Sequence, residues 1–447
     1  MGRGKPRGGT LMFRYILTIC AVVAGTSALA DVEIQQITSA GGINAWVVEE
    51  PSIPFTALEI RMRGGASLDV AGKRGAVNLM TALIEEGSGD MDAQAFQKRL
   101  EALAASLSFR VSDDIMSISA KFLTENQDEV LALLHQALTQ PRFDQDAIDR
   151  VRAQVIAGIA SDAKSPNRIA GAFFDGAAFA GHPYATSIDG TADSVGALTQ
   201  DDMFTAHRNT LTRDQIYVSA VGDISVDALG PLLDALLGDL PANGPPAIAD
   251  VGFGLAGGVT VIPFDTPQSV ALFGHSGIER DDDDFFAAYI LNSILGGSGF
   301  ESRLMNEVRE KRGLTYGISS YLVPKFHAEM WIGQVASGNE TIAEAIAVTR
   351  DVWSDLATNG VTQEELAVTK TYLTGEYPLR FDGNAKIAGI MVGMQMIGLP
   401  PEYVINRNDY IRAVTLDDLN RVAAEFLRPD DLHFVVVGQP VGLETTD

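Results

Sequence analysis

Short stretches in which apolar and polar residues alternate recur along the chain, and longer stretches with helical periodicity separate them. Alternation predicts strands, and an apolar residue every three to four positions predicts helices. The elements come in two series of the same order, each closed by a further helix and strand. The first has strands over 45–49, 56–63 and 107–121 with helices within 74–89 and 126–162, and the second has strands over 259–264, 268–277 and 314–323 with helices over 339–377.

The two series also share sequence. Residues 199–223 align on residues 415–439 without a gap, so that Asp202 falls on Asp418 and Gly222 on Gly438. The chain is therefore one fold used twice.

Between the copies lies a segment rich in Pro and Gly and poor in charge, which is typical of an extended linker. We expect an N-terminal half over residues 31–237, a linker over 238–258 and a C-terminal half over 259–447. Strands mixed with helices, with neighbouring strands joined as hairpins, predict the α+β class. Each half is expected to be an α/β sandwich with helices packed on one face of a largely antiparallel sheet.

The first thirty residues have the pattern of an export signal. Basic residues precede an apolar run, and Ala28-Leu29-Ala30 is a small-x-small cleavage site. A membrane anchor is the alternative, but the apolar run is shorter than the roughly 20 residues that span a bilayer. We therefore expect a signal peptide over residues 1–30 and a periplasmic location.

The net charge of the chain argues against two classes of binding partner. The whole chain has a formal net charge of -25, from 33 basic and 58 acidic residues. Residues 1–30 hold four of the basic residues and none of the acidic ones, so the remainder carries -29. Such a surface repels phosphate backbones and anionic lipids, and we expect no nucleic-acid and no membrane partner. The single cysteine, Cys20, lies within the signal, which leaves no thiolate for a metal or for catalysis.

The common catalytic motifs are missing from the sequence. It contains no G-x-S-x-G nucleophile elbow and no Gly-rich phosphate loop in the required strand and helix context. Its six histidines are scattered, and no two have the i, i+4 spacing of helical zinc ligands. Each is better interpreted as a surface residue or a satisfied core residue.

Three motifs nevertheless resemble one family over nearly all of the chain. They are HPYATSIDGTADSV at 182–195, VGDIS at 221–225 and LGGSGFESRLMNEVREKRGLTYGISSYL at 295–322. These are similar to the pitrilysin or insulin-degrading type of zinc peptidase, the inverzincins, and to two-subunit members such as mitochondrial processing peptidase. The resemblance implies a metallopeptidase scaffold.

The metal-binding residues that this resemblance implies are replaced. The family carries H-x-x-E-H on its opening helix and a further glutamate downstream. The corresponding positions here are Asn78, Thr81 and Ala82, with the distal ligand falling at Gly158. An inverzincin needs two imidazoles and a carboxylate to hold zinc and a second carboxylate as base. We therefore expect no metal and no other cofactor in this chain.

A second set of family residues is retained. Arg309 and Tyr316 match an Arg and Tyr pair of the family, in which, by resemblance, the Arg holds a substrate carbonyl or carboxylate and the Tyr donates to the oxyanion. Arg309 is expected on the last helical turn before a C-cap at Gly313, and Tyr316 on the strand that follows. The alternative is a solvated Arg paired with a neighbouring Glu, and a half-buried strand aromatic. Three further residues, Gly297, Ser298 and Gly299, form a loop that either contacts substrate backbone or is only a tight turn.

The lost zinc ligands and the retained Arg and Tyr imply that two different chains supply the catalytic groups. The sequence predicts the zinc-free subunit of a heterodimeric metallopeptidase, whose partner carries H-x-x-E-H and zinc and whose substrate is a peptide. Arg309 and Tyr316 would act in trans on the partner's site. Two alternatives stay open: a peptide-binding or chaperone-like protein without catalysis, and an enzyme with an unrecognised metal site.

Overall fold

Two sheets form the frame of the molecule, which a computed structural model describes for residues 33–446. The predicted signal segment, residues 1–30, lies outside these residues. The first half contains strands β1 (Gln35–Thr38), β2 (Asn44–Glu49), β3 (Phe55–Arg63), β4 (Gly87–Ser88), β5 (Met91–Asp92), β6 (Ser106–Val111), β7 (Ile115–Leu123) and β8 (Ile216–Gly222), and helices α1 (Ala76–Leu83), α2 (Ala93–Ala102), α3 (Gln127–Thr139), α4 (Gln145–Asp162), α5 (Pro166–Ala178), α6 (Ala192–Gly196), α7 (Gln200–Thr210) and α8 (Val226–Leu237).

The second half repeats this layout. Its first helix continues into a π-helical segment at Ser293–Gly297, and a second π-helical segment covers Met305–Glu310. Its strands are β9 (Gly258–Pro263), β10 (Gln268–Ser276), β11 (Ile318–Pro324), β12 (Glu329–Gly338) and β13 (His433–Gly438), and its α-helices are α9 (Phe285–Asn292), α10 (Ile342–Asn359), α11 (Gln363–Glu376), α12 (Asn384–Met396), α13 (Tyr403–Ala413) and α14 (Leu416–Phe426).

The strand order shows the duplication directly. The first sheet runs β1-β2-β8-β3-β7-β6, and the second, beginning at its other edge, runs β9-β13-β10-β12-β11. Apart from β1, each strand of the first sheet has a counterpart in the second. Among the strand pairs of residues 33–446, only β2–β8 and β9–β13 are parallel. The predicted α+β class with two homologous halves and largely antiparallel sheets is confirmed.

Helix capping repeats with the same residue types. The Thr199 hydroxyl accepts from the Asp202 amide, and the Asp202 carboxylate accepts from the Thr199 amide, which forms a capping box. Thr415 and Asp418 form the same box at the start of α14. The aligned residues therefore cap equivalent helices, α7 and α14, in the two halves.

Each sheet has a core on its main helical face and a second core on the other face. Helix α12 of the second half packs on β3 and β8 of the first sheet, where Met391 and Met394 share a buried apolar cluster with Trp46 and Ala57. Helix α5 of the first half packs on β10 and β13 of the second sheet. The sequence pattern does not predict this exchange, which holds the halves together by burying apolar surface of each against the other.

The segment between the halves is ordered by contacts with both of them. The Val251 amide donates to the His327 carbonyl at 2.9 Å, and the Gly254 amide donates to the Ala178 carbonyl at 2.8 Å. Side chains of Val251, Phe253 and Leu255 pack in the core beneath α5. Among residues 33–446, every helix is too short or too polar to be a membrane-spanning segment.

Two predicted strands had wrong boundaries. The predicted strand over 107–121 is a hairpin, β6 and β7, because the polar turn at residues 112–114 interrupts it. The predicted strand over 314–323 begins only at Ile318. The predicted helices over 339–377 are α10 and α11, which are divided where Gly360, with a φ of 70°, ends α10.

Gly222 offers a test of the sheet geometry. It ends β8 with a φ of 141°, and a Cβ built there would lie 2.1 Å from the Phe55 carbonyl oxygen. We expect Gly222→Ala to lower the free energy of unfolding by about 2 to 4 kcal/mol, from backbone strain and collision together. Gly42→Ala is the control, because its φ of 86° is also positive but no atom lies within 4 Å of the added Cβ. Urea unfolding of both variants measures the difference, and equal losses would contradict this account.

Candidate functional site

Helix α1 holds three of the four positions expected to carry a zinc site, and α4, which packs against it, holds the fourth. The start of α1 is fixed by Asp69, whose carboxylate accepts from the amides of Gly75 and Val77 at 2.9 and 2.8 Å. Arg74, just before the helix, donates to backbone carbonyls of the loop around Pro183 and Thr186. Both interactions position the helix rigidly relative to the rest of the half.

None of the four residues offers the expected ligand atoms. Asn78 donates through its amide to the Asp189 carboxylate at 2.8 Å, and the buried Thr81 hydroxyl donates to the Val77 carbonyl at 2.7 Å. Ala82 and Gly158 are exposed, and a Cβ added at Gly158 would meet no atom within 4 Å. These residues do not fit a zinc ion, since they supply neither imidazole nor carboxylate. Within residues 33–446 no group of three or more His, Cys, Asp or Glu side chains is close enough together to hold a metal.

Arg309 and Tyr316 line one groove of about 460 Å³. Arg309 lies in the π-helical segment, which ends where Gly313, with a φ of 64°, donates its amide to the Arg309 carbonyl at 2.8 Å. Gly313 is thus the C-terminal glycine that the sequence predicts. The Arg309 guanidinium also lies 3.7 Å from the Glu310 carboxylate. This contact is the one expected from the alternative interpretation, in which Arg309 is a solvated residue paired with a neighbouring Glu.

Tyr316 does not lie on a strand, as the sequence predicts, but in the loop before β11. The Thr315 hydroxyl fixes this loop by donating to the Ala336 carbonyl at 2.6 Å and accepting from the Gly317 amide at 3.0 Å. The Tyr316 side chain is 87% exposed, so it is not a half-buried strand aromatic. An exposed phenol beside a guanidinium can donate to a carbonyl oxygen that enters the groove.

The loop of Gly297, Ser298 and Gly299 is not part of this groove. Gly297 ends the π-helical segment, and a Cβ there would lie 2.8 Å from the Asn292 side-chain nitrogen. Gly299 has a φ of 59° and accepts from the Ser302 hydroxyl through its carbonyl at 2.8 Å. Local packing and the positive φ therefore account for the two glycines as parts of a tight turn. None of the three residues lines the groove of Arg309 and Tyr316.

The motif at 182–195 joins the two halves. Its Tyr184 hydroxyl donates to the Asp114 carboxylate at 2.6 Å, and the ammonium of Lys325, from the second half, lies 4.0 Å from the Tyr184 ring centroid. Lys325 also pairs with Asp113 at 2.7 Å. Lys325 could not be predicted from the sequence, because nothing local marks a lysine in the loop between β11 and β12 as an interdomain contact.

A partly buried carboxyl beside this contact makes stability depend on pH. Burial raises the pKa of Asp175 from 3.8 to about 6, Lys325 lowers it in part, and Asp113 adds to the rise. The pKa of Asp175 is higher in the folded state than its unfolded value of 3.8. The protonated carboxyl therefore contributes its full stability below pH 3.8, and this stability is lost as the pH rises through about 6. We expect Asp175→Asn to raise the free energy of unfolding at about pH 8 by up to about 2 to 3 kcal/mol and to change it little at about pH 4.

Denaturant unfolding at both pH values checks this expectation. Asp382→Asn serves as the control, because that side chain is 88% exposed and should respond little at either pH. An Asp175→Asn effect of the same size at both pH values would show that burial of the charge is not its cause.

Fold and site together define a metallopeptidase-type scaffold of two homologous halves that lacks the side chains for its metal. The chain belongs to peptidase family M16. Residues 46–192 match the description "Insulinase (Peptidase family M16)", and residues 197–373 match "Peptidase M16 inactive domain".

Relatives of known sequence and structure agree with this assignment. The non-peptidase homolog YmxG of Helicobacter pylori is 26% identical over 95% of this chain and 98% of its own length. The mitochondrial-processing peptidase subunit beta of Blastocladiella emersonii is 22% identical over 92% and 90%. A crystal structure described as a peptidase M16 inactive domain from Pseudomonas fluorescens superposes with a TM-score of 0.86 at 27% identity, covering 92% of this chain and 99% of that one.

Proposed function

We propose that this protein is the zinc-free subunit of a heterodimeric M16 metallopeptidase and that it lends substrate-binding and oxyanion-stabilising groups to a zinc-bearing partner. One observation carries the proposal: an exposed Tyr316 and Arg309 line a single groove in a chain whose zinc positions hold Asn78, Ala82 and Gly158. In the complex, Arg309 holds a carbonyl or carboxylate of the peptide, and the Tyr316 phenol donates to the oxyanion. The similarity to a protein named as one subunit of a processing peptidase supports an assembly of two chains.

The partner is a chain of the same family that carries H-x-x-E-H and zinc, and the substrate is a peptide. The leader-like residues 1–30 support export to a periplasm, so the partner is sought among exported proteins.

Titration of the purified chain into such a partner tests the proposal. Cleavage of a fluorogenic peptide should rise with added chain and level off at equimolar amounts, because each zinc site is completed by one copy. A partner whose cleavage rate is the same at every ratio would contradict the proposal.

The second candidate is a peptide-binding or chaperone-like protein without catalysis. The naming of the Helicobacter pylori relative as a non-peptidase homolog favours it. In that case the chain would bind peptides and the partner's cleavage rate would not respond to it.

A further inference from the structure

A second cavity, of about 480 Å³, lies where α12 crosses from its own half onto β3. Its wall comes from α9, α12, α13 and the 3₁₀ turn Tyr377–Arg380 directly after α11, and it shares no lining residue with the groove of Arg309 and Tyr316. Gly389 and Gly393 on α12 leave room in the wall, and a Cβ at Gly393 would lie 3.3 Å from the Arg61 guanidinium. The cavity is therefore a separate place in the fold.

Positive charge is concentrated in this cavity. Four arginines line it (Arg61, Arg280, Arg380 and Arg407), and no Asp or Glu is among its lining residues. The chain as a whole carries a net charge of -25, so the composition of this wall is opposite to that of the surface. Anionic ligands are favoured there by the local field.

Three of the arginines lack a carboxylate partner. Arg380 pairs with Glu376 at 2.7 Å, whereas Arg61, Arg280 and Arg407 form no ion pair with any residue among 33–446. Their guanidinium groups are held by neutral atoms instead. The Arg280 group lies 4.2 Å from the Phe285 ring centroid, and the Arg407 group lies 4.7 Å from that of Tyr377. Glu59 attracts Arg61 without pairing with it, and no carboxylate among residues 33–446 forms an ion pair with any of the three.

A buried hydrogen-bond donor also faces this cavity. Tyr377 is only 8% exposed, and its hydroxyl has no hydrogen-bond partner within the described chain. The Arg61 Nε atom is likewise buried without a partner. Burial raises the pKa of Tyr377 to about 12, so the phenol keeps its proton at neutral pH. Buried donors of this kind are costly to leave unpaired, and a ligand with acceptor atoms satisfies them.

We propose that this cavity binds a peptide segment that presents a carboxylate next to an aromatic or aliphatic side chain. The planar guanidinium forks and the Tyr377 phenol receive the carboxylate, as their donor geometry matches its two oxygens. Phe285, Phe286 and Met394 on the same wall receive the apolar side chain. The choice of a peptide rests on the proposed function, but the site itself needs neither the partner nor zinc.

Calorimetric titration of the isolated chain with three short peptides and with inorganic phosphate tests the site. The peptides are Ac-Gly-Leu-Phe with a free C-terminus, the same peptide as its amide, and Ac-Glu-Leu-Phe amide. At least one of the carboxylate-bearing peptides should bind about tenfold or more tightly than the Ac-Gly-Leu-Phe amide. The free acid and the Glu peptide distinguish a chain terminus from an acidic side chain as the source.

Two variants test whether the carboxylate-bearing peptides bind in this cavity. Tyr377→Phe should weaken carboxylate binding about tenfold to hundredfold without lowering the melting temperature, since the hydroxyl has no hydrogen-bond partner among residues 33–446 and is costly to leave unpaired. Arg280→Met should weaken it to a similar extent and serves if the first variant misfolds. Tyr372→Phe is the matched control on α11, because Tyr372 is 54% exposed and does not line the cavity.

Binding of both carboxylate peptides no tighter than that of the Ac-Gly-Leu-Phe amide, binding of phosphate but of neither carboxylate peptide, or unaltered binding by both cavity variants would each overturn the proposal. Because no partner and no cleavage enter the measurement, failure of the trans-acting function would leave this result unaffected.

Discussion

The variant Asn78→His/Ala82→His/Gly158→Glu is expected to bind about one zinc ion per chain, whereas the unaltered chain binds none. Two imidazoles and a carboxylate are the ligand set of such a site, and α1 and α4 already pack against each other. Asp189 accepts at 2.8 Å from the Asn78 amide, and it can accept from the outer nitrogen of an imidazole at that position in the same way. Thr81 is left unchanged, because it is buried and the base is not needed to hold the ion.

Zinc content by mass spectrometry after dialysis measures this effect, with a melting curve to show that the variant folds. The variant Asn78→His/Gly158→Glu is the control, since it lacks one imidazole and should retain far less metal. A folded triple variant that holds no more zinc than this control would show that these three positions do not form the lost zinc site.

Tyr316→Phe is expected to lower the kcat of the complex with the zinc-bearing partner by about 100-fold to 1000-fold, with little change in KM. A single donor to the oxyanion contributes about 3 to 4 kcal/mol to the stability of the transition state in other enzymes. The 87% exposure of this side chain means that the substitution should leave the stability of the chain unchanged. Arg309→Ala, by contrast, should act on KM as well, because the guanidinium holds the ground-state peptide.

Steady-state kinetics of equimolar complexes separates these effects. Tyr321→Phe is the matched control, because Tyr321 on β11 is also exposed, at 44%, but hydrogen bonds to Ser319 and does not line the groove. If Tyr316→Phe and Tyr321→Phe complexes cleave at the same rate, the phenol of Tyr316 has no part in the reaction.

Repetition made the architecture predictable from the sequence. Aligned residues such as Thr199 and Thr415 cap equivalent helices, and the strands that end at Gly222 and Gly438 hold equivalent places in the two sheets. Local signals of this kind, caps and glycines with positive φ, act within a few residues and are therefore visible in a sequence.

Contacts between distant segments could not be predicted in the same way. The exchange of α5 and α12 between the halves depends on which sheet face each helix covers, and an amphipathic pattern does not specify its partner. Likewise, Tyr316 could be identified by its spacing from Arg309, but its exposure follows from a turn that Thr315 fixes through Ala336, twenty-one positions away. Arg61, Arg280 and Arg407 had no shared motif, because the fold alone brings them together.

Metal content and peptide cleavage, measured together on the isolated chain and on its equimolar complex with the zinc-bearing partner, test the central claim most directly. We expect no zinc and no cleavage from the isolated chain, and one zinc ion per pair of chains with cleavage from the complex. Stoichiometric zinc in the isolated chain, accompanied by cleavage without a partner, would contradict it.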